Sequence, residues 1–258
     1  METLVVGAGE MGRWVADTLL AGTGPRDTSV AFTDRDPDVA ADAAATRSDA
    51  RAVPTDAEES FEVVCLAVPM SAVPAAIAAH ADRADRAIVD VSGEMTDALA
   101  ALREHAPDRE RASFHPLFAP PRVPGNVAAV IDADGPHVTA LVDAIEAGGN
   151  DVFETTATEH DRAMETIQAG AHAAVLAWRL AGDDVRAEFH TPVSSALADV
   201  ADTVTEGAPE VYAEIQGAFD GAEDVADAAR EIADADAEEF AEIYERARGD
   251  REGRERHE

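Results

Sequence analysis

The chain has 258 residues, length enough for one large or two modest domains with a full core. Acidic residues outnumber basic ones 53 to 20, a formal charge of −33, and every one of the 20 basic residues is arginine. Asp and Glu are spread over the whole length between regular apolar runs, so the pattern is that of a folded protein from a salt-accumulating cytoplasm and not of a disordered acidic tail. Binding nucleic acid or an anionic membrane needs clustered cations, which this chain does not offer. Cys65, the single cysteine, lies inside the apolar run VVCLAV, which excludes an intramolecular disulfide and a cysteine-based metal site. No apolar stretch reaches membrane-spanning length and METLVVGAGEMG lacks a basic leader region, so the expectation is a soluble, cytoplasmic protein.

The elements alternate in the first part of the chain. TLVVGA, SVAFTD, EVVCLAV and RAIVDVS read as strands, and GRWVADTLLAG, PDVAADAAA, SAVPAAIAAH and MTDALAALREH read as the helices between them. The strand runs are continuously apolar, as expected for strands covered on both faces, so the fold class is α/β, a doubly wound, mostly parallel sheet of Rossmann type. After SFHPLF, AAVIDAD, a helix near 136–147 and NDVFETT extend the same sheet. From Thr156 onward the strand signals stop and the chain reads as helical, opening with one long helix. The domain expectation is a nucleotide-binding domain over 1–155, an all-helical C-terminal domain over 156–248, and a frayed tail over 249–258.

The first strand runs into Gly7-Ala8-Gly9-Glu10-Met11-Gly12, a G-x-G-x-x-G that opens a helix. Its logic is a tight turn at Gly7, close approach of a pyrophosphate to backbone at Gly9 and helix-to-strand packing at Gly12, with the anion on the helix N-terminus beside Glu10 and Met11. The second strand ends in Asp34, 22 residues after Gly12, where a carboxylate accepts hydrogen bonds from ribose hydroxyls and repels a 2′-phosphate. That favours NAD over NADP, with Arg35 next to it as a dissenting feature. The strand run EVVCLAV ends in Val68, followed by Pro69, at the strand ends that border the nicotinamide half of such a crevice.

A hydride-transfer enzyme also needs an acid or base, and with no lysine in the chain the choice lies among eight histidines and the carboxylates. His80, His105, His137 and His257 read as surface residues and His190 as a loop contact, which leaves His115, His160 and His172. His115 follows the strand ASF and precedes Pro116, which holds it extended at a strand end beside the crevice. On a regular helix, Gln168, His172 and Arg179 fall within about 40° of one another, a polar stripe on an alanine-rich surface.

GAGEMG, HPLFAP and TEHDRAMETIQAGAH in this order resemble the prephenate dehydrogenase family, which includes the arogenate dehydrogenases; the likeness runs through TPVSSALADV and PEVYAEI and fades after about residue 220. The resemblance implies NAD-dependent oxidative decarboxylation of prephenate to 4-hydroxyphenylpyruvate in tyrosine biosynthesis, with His115 as general base for the ring hydroxyl. It implies that Ser92, in VDVSGEM, contacts that histidine and the cofactor, and that Gln168 and His172 face the substrate. The lysine that usually follows the serine is missing. So is the arginine that family members carry after the PEVYAEI segment, which leaves Arg179, Arg186, Arg162 or a partner's arginine to bind the substrate carboxylate. A homodimer formed through the helical domain is the implied assembly. Arogenate as substrate and a non-catalytic nicotinamide-binding protein remain as the other readings.

Overall fold

In a computed structural model, residues 1–21, 28–119, 122–183 and 185–249 are described. The chain divides into two compact units, Met1–Met164 and Glu165–Glu258.

The first unit is built on one eight-stranded sheet. Its strands are β1 (Glu2–Val6), β2 (Ser29–Thr33), β3 (Ala50–Ala52), β4 (Phe61–Leu66), β5 (Ala84–Asp90), β6 (Glu110–Pro116), β7 (Asn126–Ala133) and β8 (Asp151–Glu154). They lie in the order β3-β2-β1-β4-β5-β6-β7-β8. β1 to β6 are all parallel, β7 runs antiparallel to β6, and β8 is parallel to β7. The reversal follows from chain length, since the segment between Pro116 and Asn126 is too short for a crossover helix and permits only a hairpin.

The continuous apolar runs are explained by two cores, one on each face. Val63 and Cys65 of β4 face a cluster with Trp14, Val15 and Leu19 of α1 (Glu10–Leu20), Ala40 and Ala43 of α2 (Pro37–Ala45), and Leu141 and Ile145. Val64 and Leu66 face the other cluster, with Ile77 of α3 (Val73–His80) and Leu99 and Leu102 of α4 (Thr96–His105). Leu141 and Ile145 belong to α5 (Pro136–Ala147), which matches the helix read near 136–147. The expected α/β class and doubly wound topology are thus present, and the short edge strand β3, only three residues of ARA, is the one strand the apolar runs did not signal. The sheet order reverses between β1 and β4, so the carboxyl ends of these two strands diverge and open a crevice.

The long helix expected from Thr156 is broken into three parts. α6 (Ala157–Met164) is followed by a π turn over Glu165–Gly170 and then by α7 (Ala171–Ala181). The division between units falls at the π turn and not at 155/156, because α6 is fastened to the sheet unit: Asp161 accepts the Met95 and Thr96 amides at the start of α4. The second unit continues with α8 (Pro192–Thr205), α9 (Pro209–Ala218), α10 (Gly221–Asp234) and α11 (Ala237–Arg248). The residues 250–258 of the expected tail lie outside the described residues. No described helix is long and apolar enough to cross a membrane.

Candidate active site

The glycine loop has the geometry of a cradle. Gly7 has φ +97°, and a Cβ there would lie 2.3 Å from the Ala67 carbonyl oxygen, so only glycine fits between β1 and β4. A Cβ at Gly12 would lie 1.9 Å from the Gly7 oxygen, which fixes how closely α1 approaches the turn. Gly9, by contrast, is exposed and has no atom within 4 Å of where a Cβ would stand. Gly9 is also the N-cap of α1 and offers no side chain to its first amides, so these donors are left without a side-chain cap, with the positive end of the helix dipole behind them. Glu10 is exposed and Met11 half-buried in the first turn of α1. Asp34 is at the end of β2, its two oxygens accepting from the Ala8 amide at 2.8 Å and the Asp36 amide at 3.0 Å. One lone pair on each oxygen is left over for a ligand hydroxyl. Val68 packs against the Gly7 turn and Pro69 is exposed beside it, so every predicted cofactor residue clusters at the carboxyl ends of β1, β2 and β4. These residues fit a dinucleotide.

His115 stands at the carboxyl end of β6, in the same row of strand ends, and is 8% exposed. Its Nδ1 is 2.8 Å from Nε2 of His160 on α6, the rings meeting edge to face at 5.1 Å. His160 in turn places Nδ1 2.8 Å from Oδ1 of Asp161. The second Asp161 oxygen accepts from the amide and the hydroxyl of Thr96. Burial alone would raise the Asp161 carboxyl, but these bonds from His160, Thr96 and Met95 outweigh it and hold the group at about 2. Burial pulls His115 down to about 3, and the neighbouring His160 adds to the depression, so its imidazole is neutral at physiological pH.

The loop after β5 borders this ring. A Cβ on Gly93 would lie 3.5 Å from His115 Nε2 and 2.6 Å from Met70 Sδ, so a side chain there would wedge between the two. Ser92 is buried, and its hydroxyl donates to Oδ2 of Asp90 at 2.5 Å while its amide donates to the same oxygen at 3.0 Å. The loop residue brought against the His115 ring is therefore Gly93, and the Ser92 hydroxyl is turned toward Asp90. Asp90 is buried at the end of β5, and desolvation lifts its carboxyl to about 6 despite the Ser92 bonds. Glu94, half-buried on the same loop, is lifted to about 7 by burial and by the carboxylates of Asp161 and Asp97.

The remaining predicted residues belong to the second unit. Gln168 sits half-buried in the π turn, so the regular-helix angle that placed it on one face with His172 and Arg179 does not apply to it. His172, in the first turn of α7, packs edge to face on Tyr212 at 4.8 Å. Burial lowers its basicity, and its Nδ1 is buried without a hydrogen-bond partner among the described residues. Arg179 is exposed and pairs with Asp202 of α8 at 2.8 Å, beside a hollow of about 560 Å³ that it lines with Trp178, Phe189 and His190. Arg186 stacks over Phe189 and Arg162 is exposed on α6. His137, read as a surface residue, is held by Glu110 at 2.8 Å. The residues that sequence reasoning left unassigned are His160, Asp161 and Gly93. A signal for two of them was present in the EHD triplet, whose histidine falls on the buried side of α6 with Met164.

Residues 3–94 match the family described as NADP oxidoreductase coenzyme F420-dependent. A 4-amino-4-deoxyprephenate dehydrogenase from Streptomyces pristinaespiralis is 34% identical over 171 residues, covering 62% of this chain and 58% of that protein. The chain thus spans less than two thirds of the length of that relative. Among solved structures, prephenate dehydrogenase from A. aeolicus, in complex with hydroxyphenyl propionate and NAD+, aligns with a TM-score of 0.71 over 96% of each chain at 15% identity. The fold is that of the prephenate and arogenate dehydrogenases. Synechocystis arogenate dehydrogenase aligns with a TM-score of 0.64 over 98% of this chain and 99% of its own, at 16% identity. The motif resemblance is matched in sequence by a prephenate-type dehydrogenase and in fold by prephenate and arogenate dehydrogenases.

Proposed function

We propose that the protein oxidises prephenate to 4-hydroxyphenylpyruvate with loss of carbon dioxide, using NAD. The observation that carries this reading is a neutral, nine-tenths buried His115 whose Nε2 edge faces the strand-end crevice at Gly93, in the same row as the glycine loop. The amides at the start of α1 would hold the pyrophosphate and Asp34 the ribose hydroxyls, while Val68 and Pro69 border the nicotinamide end. A nicotinamide supplies hydride acceptance there. His115 Nε2 accepts the proton of the ring hydroxyl, a task for a neutral imidazole, as the ring carboxylate departs and the ring becomes aromatic.

Asp34 supports NAD over NADP through its charge. Gln168 and His172 are proposed to face the substrate, with Arg179 as the cation for a carboxylate, since His172 and Arg179 are seven residues apart on α7 and share a helix face. Ser92 is proposed to act through the loop it anchors. A homodimer is supported by the exposed apolar side chains of the helical unit, Leu180, Phe189 and Val193 among them. The soluble, cytoplasmic setting is supported by the uniformly acidic composition.

Reduction of NAD is to be followed with prephenate, arogenate and 4-amino-4-deoxyprephenate, in molar KCl. Prephenate is expected to give the highest kcat/KM, and His115→Asn to lower kcat by about 10²–10⁴-fold with NAD binding retained. Preference for arogenate or the amino substrate would reassign the substrate. No turnover of any of the three would point to a non-catalytic nicotinamide-binding protein.

A further inference from the structure

The chain His115–His160–Asp161 contains more than a base needs to be held in place. Asp161 is ionised and only accepts, so the 2.8 Å contact requires a proton on Nδ1 of His160. A neutral His160 then presents the Nε2 lone pair to His115, and the second 2.8 Å contact requires His115 to donate from Nδ1. His115 is left with its lone pair on Nε2, on the side of Gly93. With His160 neutral, these two hydrogen bonds dictate one tautomer for each ring and aim the basic nitrogen at the crevice.

We propose that this chain is a proton relay in which His160, and not His115, holds the proton after substrate oxidation. As the substrate hydroxyl gives its proton to Nε2 of His115, the Nδ1 proton of His115 passes to Nε2 of His160. His160 keeps its Nδ1 proton, becomes an imidazolium and rests against the Asp161 carboxylate, while His115 returns to a neutral ring of the other tautomer. One proton enters the pair and none leaves it, and the positive charge is displaced from the crevice to a site faced by carboxyl groups. Those groups are Asp161 on α6, which is bonded to His160, and Asp90 at the end of β5; Glu94, on the loop into α4, stands behind them against Asp161. The relay resolves a difficulty in the proposed function, on which it rests: burial makes His115 alone a weak base, its value near 3 being far below the optimum for proton abstraction at neutral pH. Because the proton comes to rest on His160, the base strength available to the substrate is not that of His115 alone. The same wiring makes protonation of His160 before substrate binds inhibitory, because a cationic His160 donates to His115 Nδ1 and leaves an N–H facing the crevice.

Nitrogen NMR of the histidine-labelled protein with NAD bound tests this without turnover. The expected result is His115 protonated on Nδ1 at high pH, and, on acidification, the first proton of the pair appearing on His160. Observing that first proton on Nε2 of His115, with His160 still neutral, would overturn the relay. His160→Gln keeps an oxygen able to accept from His115 but cannot take up a proton. With an unaltered unfolding midpoint and unaltered KM, it is expected to lose about 10–100-fold in kcat and to move the acid limb of the kcat profile to lower pH. Parent kcat with the parent acid limb would sink the proposal. If the parent oxidises none of the three substrates, the proposed function falls and the NMR assignment still decides the relay.

Discussion

Asp90 shows how one residue at the edge of the site trades stability for its position. Its carboxyl is fully buried and lifted from 3.8 to about 6 by desolvation. Oδ2 accepts from Ser92, while Oδ1 closes no well-formed hydrogen bond; the hydroxyl of Ser113, its register partner on β6, is close enough to favour the ionised carboxyl but does not outweigh desolvation. A carboxyl whose folded value is raised favours the fold when protonated, so its contribution is full below the unfolded value and is lost as pH rises through about 6. The two-unit rise corresponds to about 3 kcal/mol at neutral pH as an upper bound. Asp90→Asn keeps an oxygen for Ser92 and adds an N–H that reaches toward Ser113. Denaturant unfolding is expected to show it more stable than the parent at about pH 8 and indistinguishable at about pH 4. Equal stabilities at both pH values would mean that the buried carboxylate is compensated by a partner other than Ser92. Little of this was legible in the sequence. RAIVDVS announces a strand with an aspartate near its end, but the lateral pairing that puts Asp90 beside Ser113 is set by how β5 and β6 slide against each other. His115 was legible because strand-end position and the following proline are local facts. His160 was not, because its role depends on α6 folding back over β6.

At the scale of elements, the glycines divide into those that permit the fold and those that only loosen it. GAGEMG was readable because Gly7 and Gly12 answer geometric demands written into a local turn. The π turn was not, because nothing in METIQAGAH breaks the helical pattern; the reason lies 51 residues further on, where α10 begins with Gly221. A Cβ on Gly221 would stand 2.0 Å from the Glu165 carbonyl oxygen and 2.7 Å from the Gly170 amide, so the start of α10 is seated on the widened turn backbone to backbone. Gly221→Ala cannot be absorbed by a side-chain rotation and is expected to cost about 1–3 kcal/mol, with a raised substrate KM because Gln168, which we propose to face the substrate, rides on that turn. Gly217, near the end of α9, is exposed with nothing within 4 Å of its missing Cβ. Gly217→Ala is expected to gain about 0.4–1 kcal/mol by restricting the unfolded chain. Thermal unfolding midpoints that move in opposite directions check the pair, and a Gly221→Ala protein as stable as the parent would show that α10 is not locked to the turn.

At the scale of the whole molecule, the governing quantity is the net charge. Ion pairs cannot remove it. Arg47 holds Asp17, Arg51 holds Glu59 and Glu2, Arg103 and Arg111 share Asp132, and Arg246 holds Glu231, yet with 20 arginines to 53 acids any one-to-one pairing leaves 33 carboxylates over. Only counterions can balance these. At about 0.1 M salt, charges within about 10 Å of one another still repel, and at molar salt that range falls to about 3 Å, shorter than the spacing of most surface carboxylates. The folded chain gathers these charges more densely than the unfolded one, so screening stabilises the fold. The thermal midpoint is therefore expected to rise steeply between about 0.1 M and about 1 M KCl, where screening changes most, and to flatten above that. A steady climb through the molar range, matched at each concentration by a stronger effect of potassium sulfate, would assign the stabilisation to tighter apolar burial instead of screening. A midpoint independent of salt would remove the case for a protein adapted to a salt-rich cytoplasm.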